Sequence, residues 1–301
     1  MLFNNDAGDI KSEIKIDRAS FDKLAALLGN MAGIDLPYTP KNVTLVSSRL
    51  GKILRVQGIT SYADYIKPLS RGDQAATSEF ISAMTTNTTQ FFREDAHFKI
   101  LKKILPTILE EKKRLQNRQL RIWCAASSAG QEPYTIAMTL LESIPAASSW
   151  SIKLLASDID LKILEYAVRG VYTSAEAQSA PKLILQKYFD SRTDNGEKRF
   201  RVKKEVRELV TFAPFNLLNE SYNFKQPFDL IFCRNVLIYF TRPNAATVVD
   251  KLANCLHPEG YLFLGHSEAG MVRSPTLKAV SHAVYSRVNS MITKQENKRG
   301  R

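Results

Sequence analysis

Apolar residues near the start of the chain recur at helical spacing. Phe21, Leu24, Ala25 and Leu28 stand three and four residues apart, which places them on one stripe of a helix. The GIDLP segment at 33–37 then breaks the pattern. A second helix is predicted over about residues 41–57. At about 100° per residue, Val43, Val46, Leu50, Ile53 and Gln57 gather on one side. Lys41, Arg49, Lys52 and Arg55 gather on the other. That basic side reads either as an ordinary solvated face or as a docking surface for an acidic helix. With few strand signals before residue 85, residues 1–85 are expected to form a small helical domain and linker.

From about residue 120 the rhythm changes to short apolar runs alternating with helical segments: RIWCAA, KLLASDID, FDLIFCRN and YLFLGHSE. Alternating strand–helix units predict a parallel, doubly wound sheet, and unbroken apolar runs suit strands covered on both faces. The stretch at about 173–212 carries the charged alternating run KRFRVKKEVRELVTF and is expected to form a small inserted antiparallel subdomain. A last strand is predicted from about residue 284. The fold expected is therefore α/β, with a Rossmann-like sheet domain over 86–290 and a basic tail over 291–301.

The chain has 301 residues, 44% of them hydrophobic, enough to bury a sizeable core. No run approaches the roughly 20 apolar residues of a membrane span, and the first residues lack a secretory pattern. The expectation is a cytoplasmic protein without direct membrane insertion. Cys124, Cys233 and Cys255 are widely separated, odd in number and without CxxC spacing, and read as reduced core residues. The net charge of +12 favours an acidic partner, whether nucleic acid, anionic membrane or acidic protein.

The densest candidate chemistry lies in RIWCAASSAGQEPYTIAMTLLESI, residues 121–144. A strand enters a turn of small residues and then a helix, an arrangement that lets a ligand approach the backbone. It is not a GxGxxG loop, since only Gly130 is present. Glu132 at the helix start suits a cationic ligand, or simply matches the helix-end charge. Asp158 closes the second strand, where an acidic side chain can take both ribose hydroxyls of a nucleoside, while Asp160 is placed to cap the next helix. Asn216 and Asn235 fall at the ends of the third and fourth strands, on the same expected crevice. His266, in GHSE, has no GxSxG elbow or metal-like spacing around it and is expected to pack at a strand end.

Five segments, TTNTTQFFRE (85–94), ASSAGQEPY (126–134), ASDID (156–160), FCRNVLIYF (232–240) and GHSE (265–268), resemble in order and spacing the motifs of the CheR family of chemotaxis-receptor methyltransferases, and the likeness runs over about residues 20–288. The resemblance implies a class I S-adenosylmethionine (SAM) domain with an all-helical N-terminal domain and an inserted β subdomain. It also implies methyl transfer from SAM to glutamate side chains of methyl-accepting receptor helices, leaving S-adenosylhomocysteine, with no metal. By motif position, Asn87, Thr89, Arg93, Glu132, Asp158, Asn216, Leu217, Arg234 and Asn235 are implied as cofactor contacts. Arg93 and Tyr239 are implied nearest the reacting groups, and Arg49, Lys52 and Arg55 as the receptor-docking face. Gln131 stands where the family commonly has an acidic residue.

The implied chemistry demands few catalytic groups. A glutamate with a pKa of about 4.3 is ionised at neutral pH, so no general base is required; alignment of the reactants is what remains. The alternatives are a nucleic-acid methyltransferase, which would show aromatic platforms beside the basic face, and a silent SAM-binding scaffold. A monomer is expected, with no nucleic-acid partner.

Overall fold

The computed structural model describes residues 14–194 and 196–288. The expected basic tail at 291–301 lies outside them. Contacts divide the described residues into two compact units, one containing residues 14–31 and Asp35–Met84, the other containing Ala32–Ile34 and the described residues from Thr85 onward.

The first unit holds four helices, α1 (Arg18–Ala32), α2 (Pro40–Gln57), α3 (Tyr62–Ser70) and α4 (Gln74–Met84). Helix α2 begins where Thr39 accepts the Asn42 amide and Pro40 fills the first turn, and it stops at Gly58 in the left-handed region. Its buried residues are Val46, Leu50 and Leu54, whereas Gln57 is exposed. The buried stripe follows i, i+4, i+8 spacing and drifts around the helix, which is why Leu54 takes the place expected for Ile53 and Gln57. The basic face is also divided. Lys41, Lys52 and Arg55 are exposed, but Arg49 is half-buried. Its Nη1 donates to the carbonyls of Met84 at 2.7 Å and Ala83 at 3.4 Å, capping the C-terminal end of α4.

The second unit contains α5 (Ala96–Arg114), β1 (Gln119–Cys124), α6 (Gln131–Ser143), β2 (Ser151–Asp158), α7 (Leu161–Arg169), β3 (Val171–Thr173), α8 (Ser174–Ala177), α9 (Lys182–Tyr188), β4 (Phe189–Asp194), β5 (Glu197–Val202), α10 (Lys204–Arg207), β6 (Val210–Pro214), β7 (Phe228–Cys233), α11 (Arg242–Cys255), β8 (Leu256–Leu264), β9 (Leu277–Ser281) and β10 (Val284–Arg287). Seven strands form one sheet in the order β6-β2-β1-β7-β8-β10-β9. The first five of these pair in parallel, and β10 is antiparallel to both its neighbours. All six residues of β7 are buried, as its unbroken apolar run requires of a central strand. One core packs α5 and α6 against Leu120, Ile122 and Phe232; the other packs α11 against Trp123, Ile231 and Leu262.

The inserted antiparallel sheet is β3-β5-β4, but the alternating run extends beyond it. Residues 198–202 lie in β5, 204–207 form α10, and Val210–Pro214 is the edge strand of the main sheet, parallel to β2. Alternation over 198–212 does not separate these elements, because an edge strand, half-covered, alternates as an antiparallel one does. Strand β9, LKAVS, has four of its five residues exposed, so its apolar residues mark no buried face that would predict it.

Candidate functional site

Strands β2 and β6 run outward on one side of β1, and β7 and β8 on the other. The reversal of strand order between β1 and β7 opens a crevice at their carboxyl ends, the general position of ligands in doubly wound sheets. The loop leaving β1 is stitched to both neighbours: the Ala125 amide donates to the Phe232 carbonyl at 2.7 Å and the Ser127 amide to the Ser157 carbonyl at 2.9 Å. Gly130 ends the loop at φ +91°, and a Cβ there would lie 2.9 Å from both Ala167 Cβ and Tyr172 Oη. Only glycine fits.

Asp160 caps α7 by accepting the amides of Lys162 and Ile163. Its second oxygen receives the Asn87 side-chain amide at 2.8 Å and the Thr85 hydroxyl at 3.0 Å, tying the segment before α5 to the end of β2. The Asp158 carboxylate accepts the Ser128 amide at 2.8 Å on one oxygen and the Asp160 amide at 3.0 Å on the other. One lone pair on each oxygen remains. Burial raises the Asp158 carboxyl above the usual range, against the pull of those two amides. Ser128 also donates its hydroxyl to the Asn87 carbonyl at 3.1 Å.

Arg234, at the end of β7, lies between two carboxylates. Nη1 donates to Glu132 Oε2 at 3.1 Å and Nη2 to Glu94 Oε2 at 3.1 Å, and Nη2 also meets the Arg93 carbonyl. Burial raises the Glu132 carboxyl, and Arg234 opposes that rise. Burial acts likewise on Glu94, but there the Asn235 amide and Arg234 outweigh it and hold the carboxyl below its usual value. The two carboxylates and one guanidinium leave one net negative charge in the crevice. Glu132 is thus not a free helix-start charge; it is one arm of a buried ion-pair triad, in which its charge also receives the Cys124 thiol at 3.7 Å.

Beyond Arg234 the chain turns sharply. Asn235 has φ +58°, and the single 3₁₀ turn Leu237–Tyr239 follows. The Asn235 side-chain amide donates to Glu94 at 3.1 Å, and Tyr239 is half-buried. The other expected site residues are less tightly joined. Arg93 is half-buried and donates Nη1 to the Thr88 carbonyl at 3.0 Å. Thr89 is half-buried. Asn216 accepts the Leu218 amide at 2.9 Å, and Leu217 packs with Trp123, Ala125 and Leu237. Arg49, Lys52 and Arg55 belong to the other unit.

Two acidic residues were missed as participants, although both sit in motifs quoted from the sequence. Glu94 collects Arg234, Asn235 and the His266 amide. Glu268 is fully buried and accepts backbone amides of the turn after β7. The available signal was a glutamate three residues after Gly265, placed to reach back to the Gly265 amide at the start of a turn. Glu94 also converges with His97 and His266, with ligand atoms within 4.8 Å of one another, a grouping that spacing along the chain did not foretell. Both Glu94 oxygens are already engaged by the donors named above. His97 is wholly buried, and burial, followed by the charge of Arg234, lowers its pKa to about 4.

These residues fit a cationic nucleoside. Asp158 keeps acceptor capacity for paired hydroxyls, the Arg234 triad supplies net negative charge, and the small residues Ala125–Gly130 leave the backbone approachable. Ser127 Oγ, Gln131 Oε1 and Arg234 Nε are buried there without a hydrogen-bond partner among the described residues, so polar capacity at the loop is unspent. SAM, with its sulfonium and ammonium groups, matches that chemistry.

Comparison with known proteins agrees. Residues 87–285 match the family described as CheR methyltransferase, SAM binding domain, and residues 19–85 match CheR methyltransferase, all-alpha domain. The chain is 37% identical over 276 residues to chemotaxis protein methyltransferase 2 of Pseudomonas aeruginosa, covering 91% of this chain and 95% of that one. It is 37% identical to the chemotaxis protein methyltransferase of Escherichia coli, covering 85% of this chain and 86% of that one. No helix among the described residues is long and apolar enough to cross a membrane.

Proposed function

The chain belongs to the CheR methyltransferase family, and on that footing we propose that it transfers the methyl group of SAM to glutamate side chains of chemotaxis receptors. The observation that carries the reading is the crevice at the switch point, where Asp158 and the Glu94–Arg234–Glu132 triad combine acceptors for a ribose with net negative charge for a cationic methyl donor.

Bound SAM supplies an electrophilic methyl on a sulfonium leaving group. Asp158 takes the ribose hydroxyls, and the triad favours the cationic end of the donor. Glu94 accepts from both Arg234 and Asn235 and so holds the two side chains in fixed positions. The acceptor glutamate arrives ionised and requires no base. Arg93, with Nη1 on the Thr88 carbonyl and further N–H groups to offer, anchors that carboxylate by charge-assisted hydrogen bonds, and Tyr239 orients it. The contribution is alignment, which supplies several kcal/mol where reacting atoms are held near contact. The exposed Lys41, Lys52 and Arg55 of α2 offer positive charge to an acidic receptor helix.

The test is transfer of labelled methyl from SAM to receptor cytoplasmic fragments and, in parallel, to RNA, with base-labile carboxyl methyl esters as the readout. Ester label on receptor glutamates is the expected result. Label on RNA, or none on receptor, overturns the proposal.

A further inference from the structure

The GHSE motif takes no part in the mechanism above, yet its glutamate is a buried carboxylate beside the site that accepts four backbone amides. Glu268 has no exposed surface. Oε2 accepts the amides of Asn235 at 2.9 Å and Gly265 at 2.6 Å, and Oε1 accepts those of Leu237 at 2.7 Å and Ile238 at 3.4 Å. Three of these four donors belong to the turn between Arg234 and Tyr239. That turn needs help. It begins with a non-glycine residue in the left-handed region, Asn235 at φ +58°, a conformation that a side chain disfavours. Its first amides also have no partner within a 3₁₀ turn this short. A carboxylate offers about four lone-pair sites, and here four amides take them.

Gly265 completes the arrangement. A Cβ at this position would lie 2.6 Å from Asn235 Nδ2, 2.7 Å from Glu268 Oε2 and 2.8 Å from the Asn235 amide nitrogen. Gly265, which joins β8 to the 3₁₀ helix His266–Met271 that carries Glu268, therefore touches the turn backbone with no room for a side chain, and the separation of β8 from the turn is fixed by contact rather than by a flexible link.

We infer that Glu268 is a positioning residue: by gathering the amides of Asn235, Leu237 and Ile238 it fixes the turn that delivers Tyr239 to the crevice. It touches neither donor nor acceptor; it acts through the place of Tyr239. The inference rests on the role proposed for Tyr239, so its test includes a readout independent of methyl transfer.

Glu268→Gln preserves volume but replaces two acceptor sites by an NH₂ that faces amide donors. With fluorotyrosine at position 239, the fluorine resonance of folded Glu268→Gln is expected to shift or broaden relative to the parent, with and without S-adenosylhomocysteine. In transfer assays kcat is expected to fall about 100-fold, the scale of an ångström misplacement, with KM for SAM changed much less. In a double-mutant cycle with Tyr239→Phe, the combined loss is expected to be well below the product of the single losses. Gly265→Ala pushes on the same contact from the other side and serves if Glu268→Gln does not fold; the same resonance change is expected. An unmoved Tyr239 resonance, or losses that multiply fully, overturns the inference. Failure of the parent protein to label receptor glutamates overturns the proposed function and leaves the fluorine result to decide on Glu268.

Discussion

Arg234 and Glu132 form an ion pair at 3.1 Å in which the guanidinium side chain has no exposed surface and the carboxylate side chain only 10%. A pair so placed is costly to break from one side, because the remaining charge stays buried. Arg234→Ala is expected to cost about 3–5 kcal/mol, since it strands both Glu132 and Glu94; urea unfolding measures it. Glu132→Gln is milder for folding, because Glu94 still pairs with Arg234. It removes the net negative charge of the triad, and the expected loss of SAM affinity is about tenfold or more, measured by calorimetry.

Tyr239 separates binding from turnover. Tyr239→Phe removes one hydroxyl from a half-buried ring. Methyl transfer is expected to fall at least tenfold while the dissociation constant for SAM changes by less than about threefold. Equal loss in both quantities would assign the hydroxyl to donor binding, and an unchanged rate would remove it from the mechanism.

His97 makes stability depend on pH. Its folded pKa of about 4 lies below the ordinary 6.5, so the unfolded chain takes up a proton first as pH falls. Stability is then full above about pH 7 and is lost progressively from pH 6.5 towards 4. Between pH 7.5 and 5 this one group accounts for about 2 kcal/mol. Urea titrations of the parent and of His97→Phe at the two pH values should differ by that amount in their fall.

Gly130→Ala meets two obstacles at once, a left-handed backbone and contacts of 2.9 Å with Ala167 and Tyr172. A loss of roughly 2–4 kcal/mol in unfolding free energy is expected, together with weaker SAM binding, because the loop cannot move without straining its bonds to β2 and β7.

The docking face should divide by exposure. Lys52→Glu and Arg55→Glu are expected to raise KM for receptor fragments, an effect that shrinks with added salt, and to leave stability within about 0.5 kcal/mol. Arg49→Ala should instead lower stability by about 1–2 kcal/mol, as the Ala83 and Met84 carbonyls at the end of α4 lose their donor. Thermal unfolding and steady-state kinetics distinguish the two.

Local periodicity and end signals were enough to determine the helical first unit, the alternating strand–helix order, the loop ending at Gly130 and the division of labour in which Asp160 caps α7 while Asp158 closes β2. Each depends on residues within a few positions of one another, where the chain itself sets the geometry. The family resemblance added the cofactor and the substrate class. Only the tertiary structure decided that Arg49 caps α4, that Val210–Pro214 leaves the inserted subdomain for the main sheet, that Glu132 is held by Arg234, and that Glu94 and Glu268 brace the turn carrying Asn235 and Tyr239. The physical reason is common to all four. A buried charge or a half-covered strand is defined by its partner, and here that partner is brought from 34 residues away for Arg49 and Ala83 and 141 for Asn235 and Glu94, distances over which only the folded sheet and helices fix who meets whom.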